Sequence, residues 1–79
     1  MQNAQGIETR VLAIVSAALE RSDIGPDDPL DLSSIQILKA LAQIERTFEI
    51  EVEDDDVFHG LFTSVRHISD YVCQKLDIS

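Results

Sequence analysis

The sequence predicts an all-α fold, a four-helix bundle with three main helices, one short third helix and a long first loop. Three segments carry apolar residues at three- and four-residue spacing, which is typical of amphipathic helices. The apolar residues are mainly aliphatic, since only 5% of the chain is aromatic and tryptophan is absent. With 79 residues there is room for one domain, which we assign to residues 1–79 with residues 1–5 frayed.

Composition argues against several classes of function. Fifteen Asp and Glu residues against six Lys and Arg give a net charge of -9. Such a surface repels phosphates, which disfavours nucleic acid and anionic membranes as partners. Cys73 is the only cysteine, so an intramolecular disulfide is impossible. The N-terminus has no basic region followed by an apolar run, and "VLAIVSAAL" is too short to span a bilayer. We therefore expect a cytoplasmic monomer.

The first helix is predicted from Gly6 to Arg21 and is followed by the long first loop. Gly25, Pro26 and Pro29 prevent the helix from continuing, and four aspartates keep this segment solvated. The apolar stripe of the helix consists of Ile7, Val11, Ile14, Val15, Ala18 and Leu19. Three apolar side chains can anchor the loop to a core: Ile24, Leu30 and Leu32.

The second helix is predicted from about Ser34 to Thr47. Its expected buried face consists of Ile37, Leu38, Leu41, Ile44 and Phe48. The following "FEIEVE" alternates as a half-buried strand does, but a single short strand has no partner for its hydrogen bonds. We therefore expect an extended loop that places Ile50 and Val52 in the core.

A short third helix and a final helix complete the prediction. The short helix lies within "EDDDVFHGLF" and is ended by Gly60. The final helix starts at Ser64. Its apolar stripe consists of Val65, Ile68, Val72 and Leu76.

Residues suited to enzymatic chemistry are few. His59 and His67 have no second histidine or cysteine at metal-ligand spacing, so we expect no metal site. Asp54, Asp55 and Asp56 lack the alternating oxygens and central glycine of a calcium loop, and are interpreted as a solvated helix start. There is no glycine-rich phosphate loop, and nothing positions a Ser–His–Asp triad. The chain is predicted not to be an enzyme.

The segment "DLSSIQ" places two hydroxyls side by side at the start of the second helix. Ser33 as N-cap can bond the N–H of Gln36, and the Gln36 side chain can reach back, forming a capping box. Ser34 is then the first helical residue, points to solvent and is not needed for capping. A helix N-terminus favours a phosphodiester. Most surface serines have no such role, so the residues alone leave both interpretations open.

The layout resembles the acyl carrier protein family, which includes peptidyl and aminoacyl carrier domains. "SSIQILKALAQIERTFEIEVEDDD" is similar to the family's Asp-Ser-Leu motif, apolar helix, Leu-Glu-x-x-Phe segment and acidic turn. "LFTSVRHISDYV" is similar to its last helix, and the resemblance covers roughly residues 7 to 76. It aligns Ser34 with the serine of that motif, which carries a phosphopantetheine arm in the family, and Ile35 with the leucine.

The resemblance implies a non-catalytic carrier with a 4′-phosphopantetheine arm on Ser34. A phosphopantetheinyl transferase would attach the arm from coenzyme A, and its thiol would hold an acyl or aminoacyl group as a thioester. A loading ligase and downstream synthase or transferase enzymes would be further partners. Ser33 and Ile35 would flank the arm. If the bundle opened slightly between the second and third helices, an aliphatic cargo could lie among Leu41, Phe58 and Leu61. The implied docking residues are Gln36, Leu38, Lys39, Glu45 and Phe58.

Two departures from the family pattern stand out. Ser33 replaces the usual Asp, so the missing charge would have to come from Asp31 or Asp28. The exposed face of the second helix is also close to neutral rather than acidic. That face carries Gln36, Lys39, Gln43, Glu45 and Arg46. This favours a specialised pathway, such as polyketide or nonribosomal peptide synthesis, over bulk fatty-acid synthesis.

Three alternatives remain at this point. An unmodified carrier-fold protein could act as a structural or regulatory subunit, for which Ser34→Ala would be silent. A small helical adaptor could bind a basic partner through the acidic loop, with salt-sensitive binding that does not depend on Ser34. A small hydrolase would need turnover by the isolated chain.

Overall fold

The chain forms four α-helices joined mostly by irregular segments. The structure, a computed structural model, describes residues 4–76, with side chains from residue 6 onward. The elements are α1 (Ala4–Leu19), α2 (Ser34–Phe48), α3 (Asp54–Phe58), a 3₁₀ turn (Leu61–Thr63) and α4 (Val65–Lys75). Residues 4–76 contain no strand. The predicted fold, with three main helices, a short third helix and a long first loop, is confirmed.

Helix α1 is shifted by two residues from its predicted position at both ends. It starts at Ala4 rather than Gly6 and ends at Leu19 rather than Arg21. Of residues 1–5, for which fraying was predicted, 1–3 lie outside the described residues, and Ala4 and Gln5 are helical.

A left-handed residue causes the early end of α1. Glu20 has φ 55°, which the helix cannot continue through. The N–H of Arg21 donates to the carbonyl oxygen of Ser16 at 3.0 Å, and the N–H of Glu20 donates to that of Ala17 at 3.3 Å. These two bonds form a Schellman motif and satisfy carbonyls that the helix end leaves open.

The core lies between α1, α2 and α4, since α1 contacts both of the other long helices. The predicted stripe of α1 is confirmed: Ile7, Val11 and Val15 are fully buried, and the other three residues are half-buried against the core. The other buried apolar residues are Ile24, Ala40, Ile44, Phe48, Leu61, Phe62, Val65, Ile68 and Val72. In α4 the buried Ser69 hydroxyl donates to the carbonyl of Val65 at 2.7 Å, which satisfies the one buried polar side chain in the described residues.

One residue of the predicted α2 face is exposed, and Ile37 and Leu41 are half-buried. Leu38 is 64% exposed, so its assignment to the buried face was wrong. The buried row is Ala40, Ile44 and Phe48. Leu38 lies about 200° around the helix from Ala40, and it therefore faces away from α1 and the core.

The alternating segment after α2 is a loop, as predicted. Glu49 takes a left-handed conformation, φ 55°, and ends α2. Ile50 and Val52 are half-buried and pack against the core. The N–H of Val52 donates to the carboxylate of Glu45 at 3.1 Å. This bond replaces the one that a neighbouring strand would provide in a sheet.

A single tyrosine of α4 holds the start of α3, which has no buried residue of its own. The hydroxyl of Tyr71 donates to Asp56 at 2.6 Å and accepts the N–H of Glu53 at 3.4 Å. The three aspartates of the first turn face the positive end of the helix dipole, as predicted. The N-terminal end of α3 is therefore attached to α4.

None of the helices in residues 4–76 is long and apolar enough to cross a membrane.

We expect Tyr71 to make stability fall at high pH. Burial and the bond to Asp56 raise the pKa of Tyr71 from 10.0 to about 12. The folded chain thus holds the phenolic proton more tightly than the unfolded chain. This contribution to the free energy of unfolding is complete below about pH 10 and is lost as the pH rises through about 12. Tyr71→Phe removes this pH dependence and costs about 1 kcal/mol at neutral pH.

Tyrosinate absorbance reports Tyr71 alone, because the chain has one tyrosine and no tryptophan. Urea unfolding of the wild type and Tyr71→Phe across the same pH range gives the stability. A phenol that titrates at its ordinary pKa, or a Phe variant with the wild-type pH dependence, would contradict this role.

Candidate functional site

The first loop reaches α2 along a path fixed by the 3₁₀ turn and the start of α4. The N–H of Leu30 donates to the carbonyl oxygen of Thr63 at 2.9 Å, and the N–H of Arg66 donates to that of Pro26 at 2.9 Å. The Arg66 guanidinium also pairs with Asp27 at 2.6 Å, an exposed ion pair of small net stabilisation. These contacts set the position from which residues 31–33 enter α2.

Ser33 caps α2 with both its side chain and its backbone N–H. Its hydroxyl accepts the N–H of Gln36 at 3.2 Å, and the Gln36 side-chain oxygen accepts the N–H of Ser33 at 2.8 Å. The predicted capping box is confirmed. Both members of the pair satisfy groups that the helix start would otherwise leave open.

Ser34 is the first residue of α2 and is exposed. Its hydroxyl forms no hydrogen bond within residues 4–76, because capping is done by its neighbour. The N–H groups of Ser34 and Ile35 lie at the helix start, where no carbonyl of the same helix can accept them. Ile35 is itself 66% exposed. Ser34 therefore combines a free nucleophilic oxygen with a site that favours an anion.

An apolar groove of about 430 Å³ opens beside Ser34, between α2 and α3. Leu38 and Phe58, from the two helices, are 64% and 84% exposed. The full lining is Ser34, Ile37, Leu38, Leu41, Asp54, Val57 and Phe58. A chain attached to Ser34 can thus follow an apolar path that starts at its point of attachment.

Asp31 is the better placed of the two aspartates considered as substitutes for the missing acid. Asp28 is already engaged, since its carboxylate accepts the N–H of Gly25 at 2.7 Å and closes a turn in the first loop. Asp31 is exposed and lies three residues before Ser34. Asp54, in the groove, is the other acidic residue at this site.

The structure groups only some of the predicted site residues with Ser34. Leu38 and Phe58 line its groove, whereas Lys39 lines a different groove between α1 and α2. Gln36 is half-buried and held in the capping box, and Glu45 is half-buried and bound to the N–H of Val52.

The residues suggested for an aliphatic cargo are also divided. Leu41 and Phe58 line the groove beside Ser34, but Leu61 is only 3% exposed and belongs to the core. Leu61 cannot contact a ligand in that groove without leaving its packed position.

Two groove residues of α3 were not predicted as site residues from the sequence. Asp54 and Val57 share one face of α3 with Phe58, at the i, i+3, i+4 spacing of a helix. This spacing could have identified them. The aspartate run was interpreted only as a helix start, and the sequence did not show that α3 faces α2.

The histidines lie apart from this site. His59 caps the C-terminal end of α3 and His67 lies in the first turn of α4, and both are exposed. Among the described residues, no group of three or more His, Cys, Asp or Glu is arranged to hold a metal ion.

The two serines should differ in their effect on stability. We expect Ser33→Ala to lower the free energy of unfolding by about 1 kcal/mol, because it leaves the N–H of Gln36 without its acceptor. Ser34→Ala should change it by less than about 0.5 kcal/mol, because that hydroxyl bonds nothing in the described residues. Urea unfolding measures both, with Ser33→Asp as a control that keeps a capping oxygen. Equal losses for the two alanine variants would contradict the assignment.

Comparison with known families agrees with this geometry. A family model described as a phosphopantetheine attachment site matches residues 9–72, which includes the capping box, Ser34 and most of α4. No curated protein and no solved structure matches the chain at a significant level. The resemblance to acyl carrier proteins is thereby confirmed. The chain belongs to the phosphopantetheine attachment site family, the carrier proteins that hold a covalent 4′-phosphopantetheine arm.

Proposed function

We propose that Ser34 bears the arm and that this chain carries an acyl or aminoacyl group for partner enzymes. The observation that supports this most strongly is the division of roles between adjacent serines. Ser33 is committed to the capping box, and Ser34 is exposed, unbonded and next to an apolar groove. The first hydroxyl is structural, and the second is free to be modified.

The residues around Ser34 fit a phosphodiester. The free N–H groups at the start of α2 can bond phosphate oxygens, and the helix dipole favours their negative charge. Ile37, Leu38 and Leu41 offer an apolar surface along which a pantetheine chain or a short acyl group can lie. Asp31 and Asp54 are exposed, and both can bond a basic side chain of the transferase.

Attachment uses the oxygen of Ser34 as the nucleophile. That oxygen loses its proton and forms a bond to the pantetheine-bearing phosphorus of coenzyme A, while adenosine 3′,5′-bisphosphate leaves. The phosphopantetheinyl transferase supplies the base and the binding site for coenzyme A. Ser34 needs only to be reachable, which its place on the surface at a helix start provides.

When attached, the arm supplies a terminal thiol that holds the cargo as a thioester. Cys73 does not compete with this thiol, because it is half-buried and burial raises its pKa, which lowers its thiolate fraction. The chain itself catalyses no bond-making step in this proposal. Its contribution is to tether the cargo near successive enzymes at high effective concentration.

Partner enzymes would dock beside Ser34. Ile35, Leu38 and Phe58 are the large apolar residues exposed in the described residues, and they come from α2 and α3. We include Gln36 and Glu45 as polar contacts at the edge of this surface, and Lys39 as a contact on the side of α2 that faces α1. The nearly neutral exposed face of α2 supports a loading ligase and synthase of a specialised pathway, rather than enzymes that recognise an acidic helix.

Intact mass after incubation with coenzyme A and a broad-specificity transferase tests the attachment site. The wild type, Ser33→Ala and Ser33→Asp should each gain one phosphopantetheine. Ser34→Ala should gain none while remaining folded by circular dichroism. Ser33→Asp, which places a charge beside Ser34, should load at least as fast as the wild type.

Two results would count against this function. If Ser34→Ala were modified, the arm would lie on another residue. If no variant gained mass with several transferases, the chain would be an unmodified carrier-fold protein with a structural or regulatory role.

A further inference from the structure

A second groove, of about 520 Å³, lies between α1 and α2. Exposed alanines form much of its lining: Ala13 and Ala17 from α1, and Ala42 from α2. It shares no lining residue with the groove beside Ser34. Because alanine ends at its Cβ, the groove is apolar and lies close to both helix backbones. A third helix can pack into a groove of this kind at short distance.

Three exposed cations surround this groove. Lys39 is part of its lining. Arg10 lies on the α1 row of Ala13 and Ala17, at the i, i+3, i+7 spacing of one helix face. Arg46 lies one turn after Gln43, another lining residue of α2. No acidic residue lines the groove. The next residue along the helix face of Ala13 and Ala17 is Glu20, directly after the end of α1.

The remaining cations of the chain are already engaged. Arg21 and Arg66 form ion pairs with aspartates, and Lys75 lies over the ring of Tyr71 at 5.5 Å from its centroid. The three cations around the groove form no ion pair within the described residues. In a chain of net charge -9, three of the four cations that form no ion pair within the described residues therefore lie around this one apolar surface.

We propose that the groove between α1 and α2 binds an acidic amphipathic helix of a partner protein. Small or apolar residues of that helix would occupy the groove, and its Asp and Glu side chains would face Arg10, Lys39 and Arg46. Charge complementarity selects this occupant, since the rest of the surface repels acidic proteins.

Other occupants fit less well. A second copy of this chain would bring another net charge of -9, and its acidic run lies on a loop and the five-residue α3 rather than on a long helix. Nucleic acid would meet only three cations on a strongly negative chain. The two grooves are separate, so the acidic helix can bind whether or not Ser34 is modified.

The test uses two synthetic helical peptides and the amide NMR shifts of the isotope-labelled chain. One peptide carries an alanine and leucine stripe flanked by glutamates, and the other carries lysines in place of the glutamates. The glutamate peptide should shift the amides of Ala13, Ala17, Ala42 and Gln43, and added salt should weaken its binding. The lysine peptide should leave these amides unchanged.

Matched variants separate this groove from general charge effects. Arg46→Glu should weaken binding of the glutamate peptide roughly fivefold relative to Lys75→Glu, which makes the same change of charge away from the groove. Ala17→Gln, which fills the groove, should also weaken it. Ser34→Ala should bind as the wild type does, so a failure of arm attachment does not affect this test.

Several results would overturn the proposal. These are shifts confined to the groove beside Ser34, equal binding of both peptides, or equal effects of Arg46→Glu and Lys75→Glu. If short duplex DNA or anionic vesicles shifted the same amides as strongly as the glutamate peptide, the surface would be a general anion site and not a helix-binding groove.

Discussion

The position of Ser34 depends on the two hydrogen bonds that Ser33 and Gln36 exchange at the start of α2. Without these bonds, the N–H groups of Ser33 and Gln36 would lose their acceptors and the first turn of α2 would fray. In a frayed turn, the position of Ser34 relative to the groove would not be fixed. The same two bonds occupy Ser33 and leave the next hydroxyl free. Adjacent, chemically identical side chains thus receive different roles from their place relative to the helix end.

Helix α4 holds the other parts of the site in place. Arg66 at its N-terminal end and Thr63 in the preceding 3₁₀ turn bind the first loop, so together they control where the chain enters α2. Further along α4, Tyr71 holds the start of α3. Helix α3 forms the wall opposite α2 in the groove beside Ser34. The buried residues Val65, Ile68 and Val72 fix α4 against α1. Helix α4 therefore positions both walls of the groove beside Ser34, although no residue of α4 lines that groove.

The sequence was sufficient for features governed by neighbours along the chain. The helix count, the capping box and the loop at Ile50 and Val52 follow from spacing and turn chemistry. Features governed by contacts between elements were missed. Glu20 ends α1 in a left-handed conformation that no local signal marks, and Leu38 is exposed because the core lies on the side of α2 that carries Ala40 and Ile44. Lys39 was grouped with Ser34 because the family resemblance implies partner docking on the second helix, but it lines the groove between α1 and α2.

The central claim is that the arm is attached to Ser34 and not to Ser33, and fragment-ion mapping of the modified wild-type chain tests it most directly. Cleavage after Arg21 and Lys39 gives one peptide, residues 22–39, that contains both serines and Ser22. We expect fragment ions that separate positions 33 and 34 to place the whole phosphopantetheine mass on Ser34. Attachment to Ser33, which would require the capping box to open, would contradict the division of roles between the two serines.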